Sequence, residues 1–207
     1  MKNDNSFKTN IFFLISLALI FLWSAYKPHD YFTWFLEVAP VIIGTIILIT
    51  IYKRFQFTQL AYLLIWIHCI ILMVGGHYTY ERVPLFNYIK EIFDMQRNNY
   101  DKVGHFAQGF IPAIISREIL IRKSPLTAGK WLSFIVVCIC LSISAVYELI
   151  EWWVAITTGD SAESFLGTQG YAWDTQSDMA YALFGSIISL ILLSKIHDRY
   201  LKQLSDK

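Results

Sequence analysis

Charged residues are scarce in this chain of 207 residues. Only 16% of the sequence is Asp, Glu, Lys or Arg, whereas 56% is hydrophobic, and the mean hydropathy is +0.46. This balance excludes an ordinary soluble domain. Neither sign of charge is in excess, because 17 basic and 16 acidic residues leave a net charge of +1. Since no basic run occurs either, the sequence argues against a nucleic-acid partner.

Cysteine is also rare, and its positions exclude two classes of site. Cys69, Cys138 and Cys140 all lie inside apolar runs. The Cys138-x-Cys140 pair has no His or second cysteine pair nearby to complete a zinc site, and three scattered cysteines make no disulfide framework. We expect all three to be packing residues.

Six long apolar runs dominate the rest of the chain. They cover residues 11–26, 34–52, 60–76, 103–121, 131–156 and 179–196. Each approaches or exceeds the roughly 17–25 residues that a helix needs to cross a bilayer. The sequence therefore predicts an all-α, polytopic membrane bundle of six transmembrane helices, forming a single integral membrane domain over residues 1–207.

The first and fourth apolar runs have features that bear on whether they span the membrane. The first follows Lys2 and Lys8 as a signal peptide would, but no small-x-small cleavage site follows Trp23, so we expect an uncleaved first span. The fourth is the weakest, because polar groups interrupt it and must face protein or water. These groups are His105, Gln108, Arg117 and Glu118.

Basic residues near the helix ends predict the orientation. With the N-terminus inside, eleven fall on the cytoplasmic side, namely Lys2, Lys8, Lys53, Arg54, Arg122, Lys123, Lys130, Lys195, Arg199, Lys202 and Lys207. Five fall on the other side, namely Lys27, Arg82, Lys90, Arg97 and Lys102. We therefore predict that both termini are cytoplasmic and that the protein lies in a bacterial inner membrane.

Two long loops join the predicted spans on the outer side. The first, residues 77–102, contains Pro84 and a predicted amphipathic helix over residues 85–94. The second, residues 157–176, is rich in Gly, Ser and Thr but also contains Phe165 and Trp173. Long polar loops in a compact protein are usually functional or disordered. The aromatic residues favour a loop packed at the membrane interface.

Acids and histidines gather at the predicted outer ends of the helices. Because residues three and four apart share a helix face, each of three helices carries a polar stripe. The stripes are Asp101, His105 and Gln108, then Glu148 and Glu151, then Asp174 and Asp178. Ionisable groups in a bilayer are expensive, so this convergence predicts a functional site.

Clustered carboxylates cannot all stay charged away from water without a cation among them. A divalent metal ion would resolve the conflict, and His with Asp or Glu suits zinc, manganese or iron. We predict His105, Glu148 and Asp178 as the metal ligands. The catalytic or orienting groups would be Asp101, Glu151 and Asp174.

The aromatic residues around these acids suit an amphiphile, so a lipid or cell-envelope substrate is the predicted class. Two other interpretations stay open. The same groups could carry a proton or an ion through the bundle, although the cytoplasmic halves offer little to continue the path. Alternatively, they could be a non-catalytic scaffold that locks helices together, at about 0.6 kcal/mol per contact.

Several motifs are similar to those of known families. They are Glu81-Arg82-Val83-Pro84, Asp101-Lys102-Val103-Gly104-His105, Glu148-Leu149-Ile150-Glu151-Trp152 and Trp173-Asp174-Thr175-Gln176-Ser177-Asp178-Met179, together with Gly167-Thr168-Gln169-Gly170. From about Glu37 onward the chain resembles the YjdF-like (DUF2238) family of bacterial inner-membrane proteins. That resemblance implies a multi-pass inner-membrane protein and no particular chemistry.

A looser similarity links the chain to VanZ-like membrane proteins. Asp101-Lys102 with His105 fits their pattern, as do Glu148, Asp178 and Gly185. Two polar identities of that pattern are lost, since Glu151 stands where Gln is expected and Ala182 where Asn is expected. A similarity of spacing alone transfers no function.

Overall fold

The computed structural model describes residues 2–159 and 163–205, and within these residues the chain forms eight helices and no β-strand. The helices are α1 (Lys2–Ala25), α2 (Tyr31–Ile51), α3 (Gln59–His77), α4 (Pro84–Ile92), α5 (Tyr100–Lys123), α6 (Lys130–Thr158), α7 (Glu163–Leu166) and α8 (Asp174–Ser205). The all-α prediction is confirmed. The helix expected over residues 85–94 is α4.

A long helix covers each of the six apolar runs. The largest difference in length is at the last run, predicted over residues 179–196, where α8 extends from Asp174 to Ser205. Hydropathy marks only the apolar part of a helix, whereas α8 has an acidic first turn and a basic last turn. Asp174 and Lys202 lie at the ends where the helix dipole favours their charges.

Five helices of the described chain are long and apolar enough to cross a membrane. They are Ser6–Ala25, Tyr31–Ile51, Gln59–His77, Lys130–Thr158 and Asp174–Leu204. The structure thus has the helices of a multi-pass membrane protein. Helix α5 is 24 residues long but is not among them, and its apolar run is interrupted by charged and polar side chains.

The chain divides into two compact units. Unit 1 consists of Met1–Gln56, Trp66–Gly104 and Glu151–Tyr171. Unit 2 consists of Phe57–Ile65, His105–Ile150 and Ala172–Lys207. Helices α3, α5 and α6 each contribute residues to both units.

In unit 1, the ring of Tyr80 explains two glycines that lie on different helices. A Cβ atom at Gly75 of α3 or at Gly104 of α5 would overlap this ring. Tyr80 is buried with Val83 and Tyr100, and its ring centroid lies 5.7 Å from that of Tyr100. The turn after α3 is therefore held by an aromatic residue that needs glycine on both sides.

Part of the second predicted outer loop, up to Tyr171, packs within unit 1. Gln169 and Asn98 exchange two hydrogen bonds, because the Asn98 N–H donates to Gln169 Oε1 at 3.0 Å and Gln169 Nε2 donates to the Asn98 carbonyl at 2.9 Å. Arg97 donates to the carbonyls of Gly167 and Thr168. Residues 160–162 of this loop lie outside the described residues.

In unit 2, α5 and α8 cross with their backbones in contact. A Cβ at Gly109 would overlap the carbonyl of Ala182, and a Cβ at Gly185 would overlap the carbonyl of Phe106. Small residues allow membrane helices to approach this closely. The contact fixes the relative position of two helices that both carry predicted site residues.

Candidate functional site

His105 lies in unit 2 between carboxylates from two other helices. Its Nδ1 is 3.7 Å from Glu148 Oε1 on α6, and its Nε2 is 3.8 Å from Asp178 Oδ1 on α8. All three side chains are buried. The three residues predicted as metal ligands thus lie together, and with Gln108 they are called the His105 cluster below.

The contact with Gln108 determines which nitrogen of His105 carries hydrogen. Nδ1 lies 3.2 Å from Gln108 Oε1, and an amide oxygen can only accept, so Nδ1–H is the donor. In a neutral ring, Nε2 then presents a lone pair to Asp178 Oδ1. A cation between these two acceptors would be complementary to both.

The distances from His105 to its two acids fit contacts bridged by an ion or a water better than direct hydrogen bonds. N–H···O hydrogen bonds have donor–acceptor distances of about 2.7–3.2 Å. The distances of 3.7 and 3.8 Å from His105 to its two acids are longer. Neighbouring ligands on a tetrahedral zinc ion lie about 3.4 Å apart when the bonds are about 2.0–2.1 Å. The Nε2–Asp178 distance therefore leaves room for an ion or a water.

Rigid packing beside the cluster holds its members in place. Gln108 directly precedes Gly109, whose backbone meets Ala182, and Asp178 lies one turn before Ala182 on α8. The Tyr147 ring stands edge-on to the His105 ring, with centroids 6.4 Å apart. A site on closely packed helices is held more precisely than one on loops.

Asp174 occupies the first turn of α8, one turn before Asp178. Its side chain is buried in unit 2, and its carbonyl accepts a hydrogen bond of 3.0 Å from the Ser177 hydroxyl. An acid in the first turn is favoured by the helix dipole. Of the three acids predicted as catalytic or orienting groups, Asp174 is thus the one that belongs to the same unit as the cluster.

Asp101 and Glu151 belong to unit 1. Asp101 Oδ2 lies 3.5 Å from Arg97 Nη2 and 3.3 Å from Lys102 Nζ, so two basic residues accompany it. Both of those cations also lie over the Tyr171 ring, at 5.7 and 6.0 Å from its centroid. Glu151 is buried. The orienting or catalytic roles assigned to Asp101 and Glu151 stay predictions.

Sequence reasoning missed a second buried histidine. His197 of α8 lies against Arg117 and Glu118 of α5, and we call these residues, with Thr58, Arg122 and Asp198, the His197 cluster. Glu118 Oε1 accepts from the Thr58 N–H at 2.9 Å and from Arg122 at 2.7 Å. Its Oε2 accepts from the Thr58 hydroxyl at 2.7 Å and from His197 Nε2 at 3.1 Å.

Arg117 completes this second cluster. It donates to His197 Nδ1 at 2.9 Å and to Asp198 Oδ1 at 2.6 Å. The only sequence signal was a pair of charged neighbours, Arg117 and Glu118, inside an apolar run. That these two groups face protein or water was expected, but their partner on α8 was not.

An apolar layer separates the two clusters along α5 and α8. The core cluster of Ala113, Leu132, Val136, Cys140 and Leu190 lies at this level. Between Gln108 and Arg117, α5 carries no charged residue. The buried hydroxyls of Ser144 on α6 and Ser189 on α8 have no hydrogen-bond partner among the described residues.

Comparisons with known proteins agree with the helical architecture. A family model described as "Predicted membrane protein (DUF2238)" matches residues 9–199. The Escherichia coli (strain K12) protein named "Inner membrane protein YjdF" is 48% identical over 189 residues, which are 91% of this chain and 90% of that protein. No solved structure shows a significant match.

Proposed function

We propose, for a chain that belongs to the DUF2238 family of predicted membrane proteins, that the His105 cluster binds a divalent cation and acts on a membrane lipid or other envelope amphiphile. The observation that carries the proposal is the buried His105 ring between two carboxylates, with Glu148 Oε1 at 3.7 Å and Asp178 Oδ1 at 3.8 Å. The inner-membrane location predicted from the sequence is confirmed by the family and the relative.

In this proposal His105 Nε2 and Asp178 are the primary ligands. Glu148 lies on the Nδ1 side of the imidazole, and Asp178 lies on the Nε2 side. An ion bound to Nε2 would therefore be next to Asp178 and not to Glu148. Gln108 would then orient the imidazole through its 3.2 Å contact with Nδ1, with Glu148 on the same side of the ring at 3.7 Å. Glu148 is therefore reassigned from ligand to orienting residue.

The ligand types point to a borderline metal. An imidazole with a carboxylate suits zinc, manganese or iron better than calcium or magnesium. Such an ion polarises a carbonyl or phosphoryl oxygen and lowers the pKa of a bound water. Asp174, one turn further along the same face of α8, is the candidate general base.

The topology that goes with this site has α5 as the sixth membrane span and both termini in the cytoplasm. Twenty-four residues make a helix of about 36 Å, which is long enough for a bilayer core. The polar residues that weaken its hydropathy, His105, Arg117 and Glu118, are all buried against unit 2. They therefore do not require contact with lipid, and the His105 cluster would open to the periplasmic side.

An alternative relay of protons or ions is less well supported. A relay needs ionisable groups at short intervals, and the level of Ala113 and Leu190 is occupied by an apolar cluster. The cation site also explains why the acids stand on both sides of one histidine, which a scaffold of paired helices does not require.

The test is metal binding by purified protein in detergent, with zinc and manganese titrated by calorimetry. We expect one equivalent to bind the unaltered chain, and His105→Gln or Asp178→Asn to weaken binding by more than about tenfold. The matched control is His29→Gln, because His29 is exposed and lies outside the cluster. Equal binding by all four proteins, or none by the unaltered chain, would overturn the proposal.

A further inference from the structure

The short helix α4 of unit 1 exposes an apolar face. Leu85, Tyr88 and Ile92 follow one another at intervals of three and four residues, so they share one side of the helix. They are 63%, 62% and 57% exposed, and Phe93, directly after the helix, is 66% exposed. An amphipathic helix normally turns such a face towards an apolar partner.

The other side of α4 is held by unit 1. The Phe86 ring stands edge-on to the Tyr100 ring, with centroids 5.2 Å apart. Asn87 Oδ1 accepts a hydrogen bond of 2.8 Å from Asn98 Nδ2, which also donates to the Val83 carbonyl at 3.1 Å. These contacts fix the rotation of α4, so its apolar face points away from the protein.

The contacts of Tyr100 place α4 at the level of the last turns of α3. The Tyr100 hydroxyl donates to the Ile71 carbonyl at 3.0 Å, and Ile71 lies about 9 Å of helix before the end of α3 at His77. Phe86 of α4 and Leu72 of α3 pack against the same buried cluster, which contains Tyr100. Helix α4 therefore lies beside the end of α3 rather than beyond it.

The end of α3 marks the boundary of the bilayer core. Helix α3 is one of the five helices long and apolar enough to cross a membrane. Its 19 residues make about 28 Å of helix, close to the roughly 30 Å of a hydrocarbon core. A spanning helix of this length has its last turns where the acyl chains meet the headgroups. Amphipathic helices bind membranes at this depth, so the position of α3 identifies what covers the face of α4.

We propose that α4 lies in the plane of the membrane interface, with Leu85, Tyr88 and Ile92 among the acyl chains of the leaflet in which α3 ends. This inference does not rest on the His105 cluster or on its cation. Residues 81–94 contain two basic and three acidic side chains, a net charge of −1, so attraction to anionic headgroups does not hold the helix there. Apolar contact does, and the Tyr88 ring is of the type that favours the interface.

The position of α4 also bears on the second outer loop. Asn98, which holds Asn87 and Val83, exchanges two hydrogen bonds with Gln169. Its neighbour Arg97 donates to carbonyls of the same loop. Lipid contact at α4 would therefore set the depth of residues 167–169 relative to the membrane surface, which makes α4 an anchor for both loops.

The test is photocrosslinking by the full-length protein in phosphatidylcholine vesicles, with Leu85 replaced by p-benzoylphenylalanine. The matched control carries the same group in place of Glu91, which is exposed on α4 about 120° around the helix from Leu85. Mass spectrometry of the intact protein identifies the adducts after irradiation. We expect the phospholipid adduct to be at least about tenfold more abundant at position 85 than at position 91, because only the apolar face enters the acyl layer.

Lipid adducts of equal abundance at the two positions, or absent from both, would overturn the proposal. A crosslink from position 85 to a second copy of the chain would also overturn it and would show that the face is a protein contact. Vesicles that also contain phosphatidylglycerol should give the same yield of adduct. A yield that depends on the anionic lipid would show attraction to headgroups and would overturn apolar insertion.

Discussion

The two buried histidines of unit 2 both lie beside acids, but the two clusters differ in geometry and charge. His197 lies 2.9 Å from Arg117 and 3.1 Å from Glu118, both within hydrogen-bond range. The corresponding distances from His105 to its acids are 3.7 and 3.8 Å. The His197 cluster is thus a closed hydrogen-bonded network, whereas the His105 ring lies beyond hydrogen-bond distance of both of its acids.

The two clusters also differ in the charges of their side chains. Around His197, Arg117 and Arg122 balance Glu118 and Asp198. Because Arg117 donates to Nδ1, the neutral His197 ring carries its hydrogen on Nε2 and donates it to Glu118. The His105 cluster, by contrast, consists of two carboxylates, an imidazole and an amide. A histidine beside acids is therefore structural in the first setting and a candidate cation ligand in the second.

The largest effect is expected from Glu118→Ala, which breaks the closed cluster. Glu118 is fully buried and accepts hydrogen bonds from three residues, which would lose a common partner. Removing one partner of a buried charged pair costs about 3–5 kcal/mol. The measurement is the unfolding free energy in mixed detergent, with the exposed Glu91→Ala as control. A loss below about 1 kcal/mol would show that the network is not structural.

The second prediction concerns the helix crossing that holds the His105 cluster. Gly185→Ala should cost about 1–3 kcal/mol, because the new methyl group overlaps the Phe106 carbonyl and α5 must move away. Gly44→Ala is the matched control, since its Cβ would meet open space within α2. We expect Gly44→Ala to be neutral or to stabilise by up to about 1 kcal/mol through helix propensity. Equal losses in both variants would contradict the close crossing.

The smallest effect is expected from Asp178→Asn in metal-free protein. Removing one of two neighbouring carboxylates relieves their repulsion and keeps the side-chain shape, so stability should change by less than about 1 kcal/mol. Addition of zinc should then raise the midpoint of thermal unfolding for the unaltered chain only. A large loss of stability without metal would place Asp178 in a closed network like that of Glu118.

Much of the fold was predictable because hydropathy and helix spacing are local. The apolar runs predicted the long helices, and the three- and four-residue spacings placed Asp174 and Asp178 on one face of α8. The family resemblance, which rested on motifs in the sequence, was confirmed by the family-model match over residues 9–199. That His105, Glu148 and Asp178 would lie together was inferred from topology, since all three fall near the same predicted membrane surface.

The finer geometry could not be predicted in the same way. The rotation of α6 about its axis determines which side of the His105 ring faces Glu148. The contact between Gly185 and Phe106 determines which side of the ring faces Asp178. The His197 cluster joins residues 79 positions apart with no shared motif. Only the three-dimensional packing of α5 against α8 brings Glu118 and His197 together.

The pairing of α5 has a consequence for the order in which the protein is made. Glu118 accepts a hydrogen bond from His197, and Arg117 donates one to Asp198, so both partners lie on α8, about eighty residues later in the chain. While the ribosome is still synthesising α6, these charges have no partner on α8. The contacts that bury Arg117 and Glu118 against α8 can therefore form only after α8 has been synthesised, and a nascent chain truncated before Asp174 would lack them.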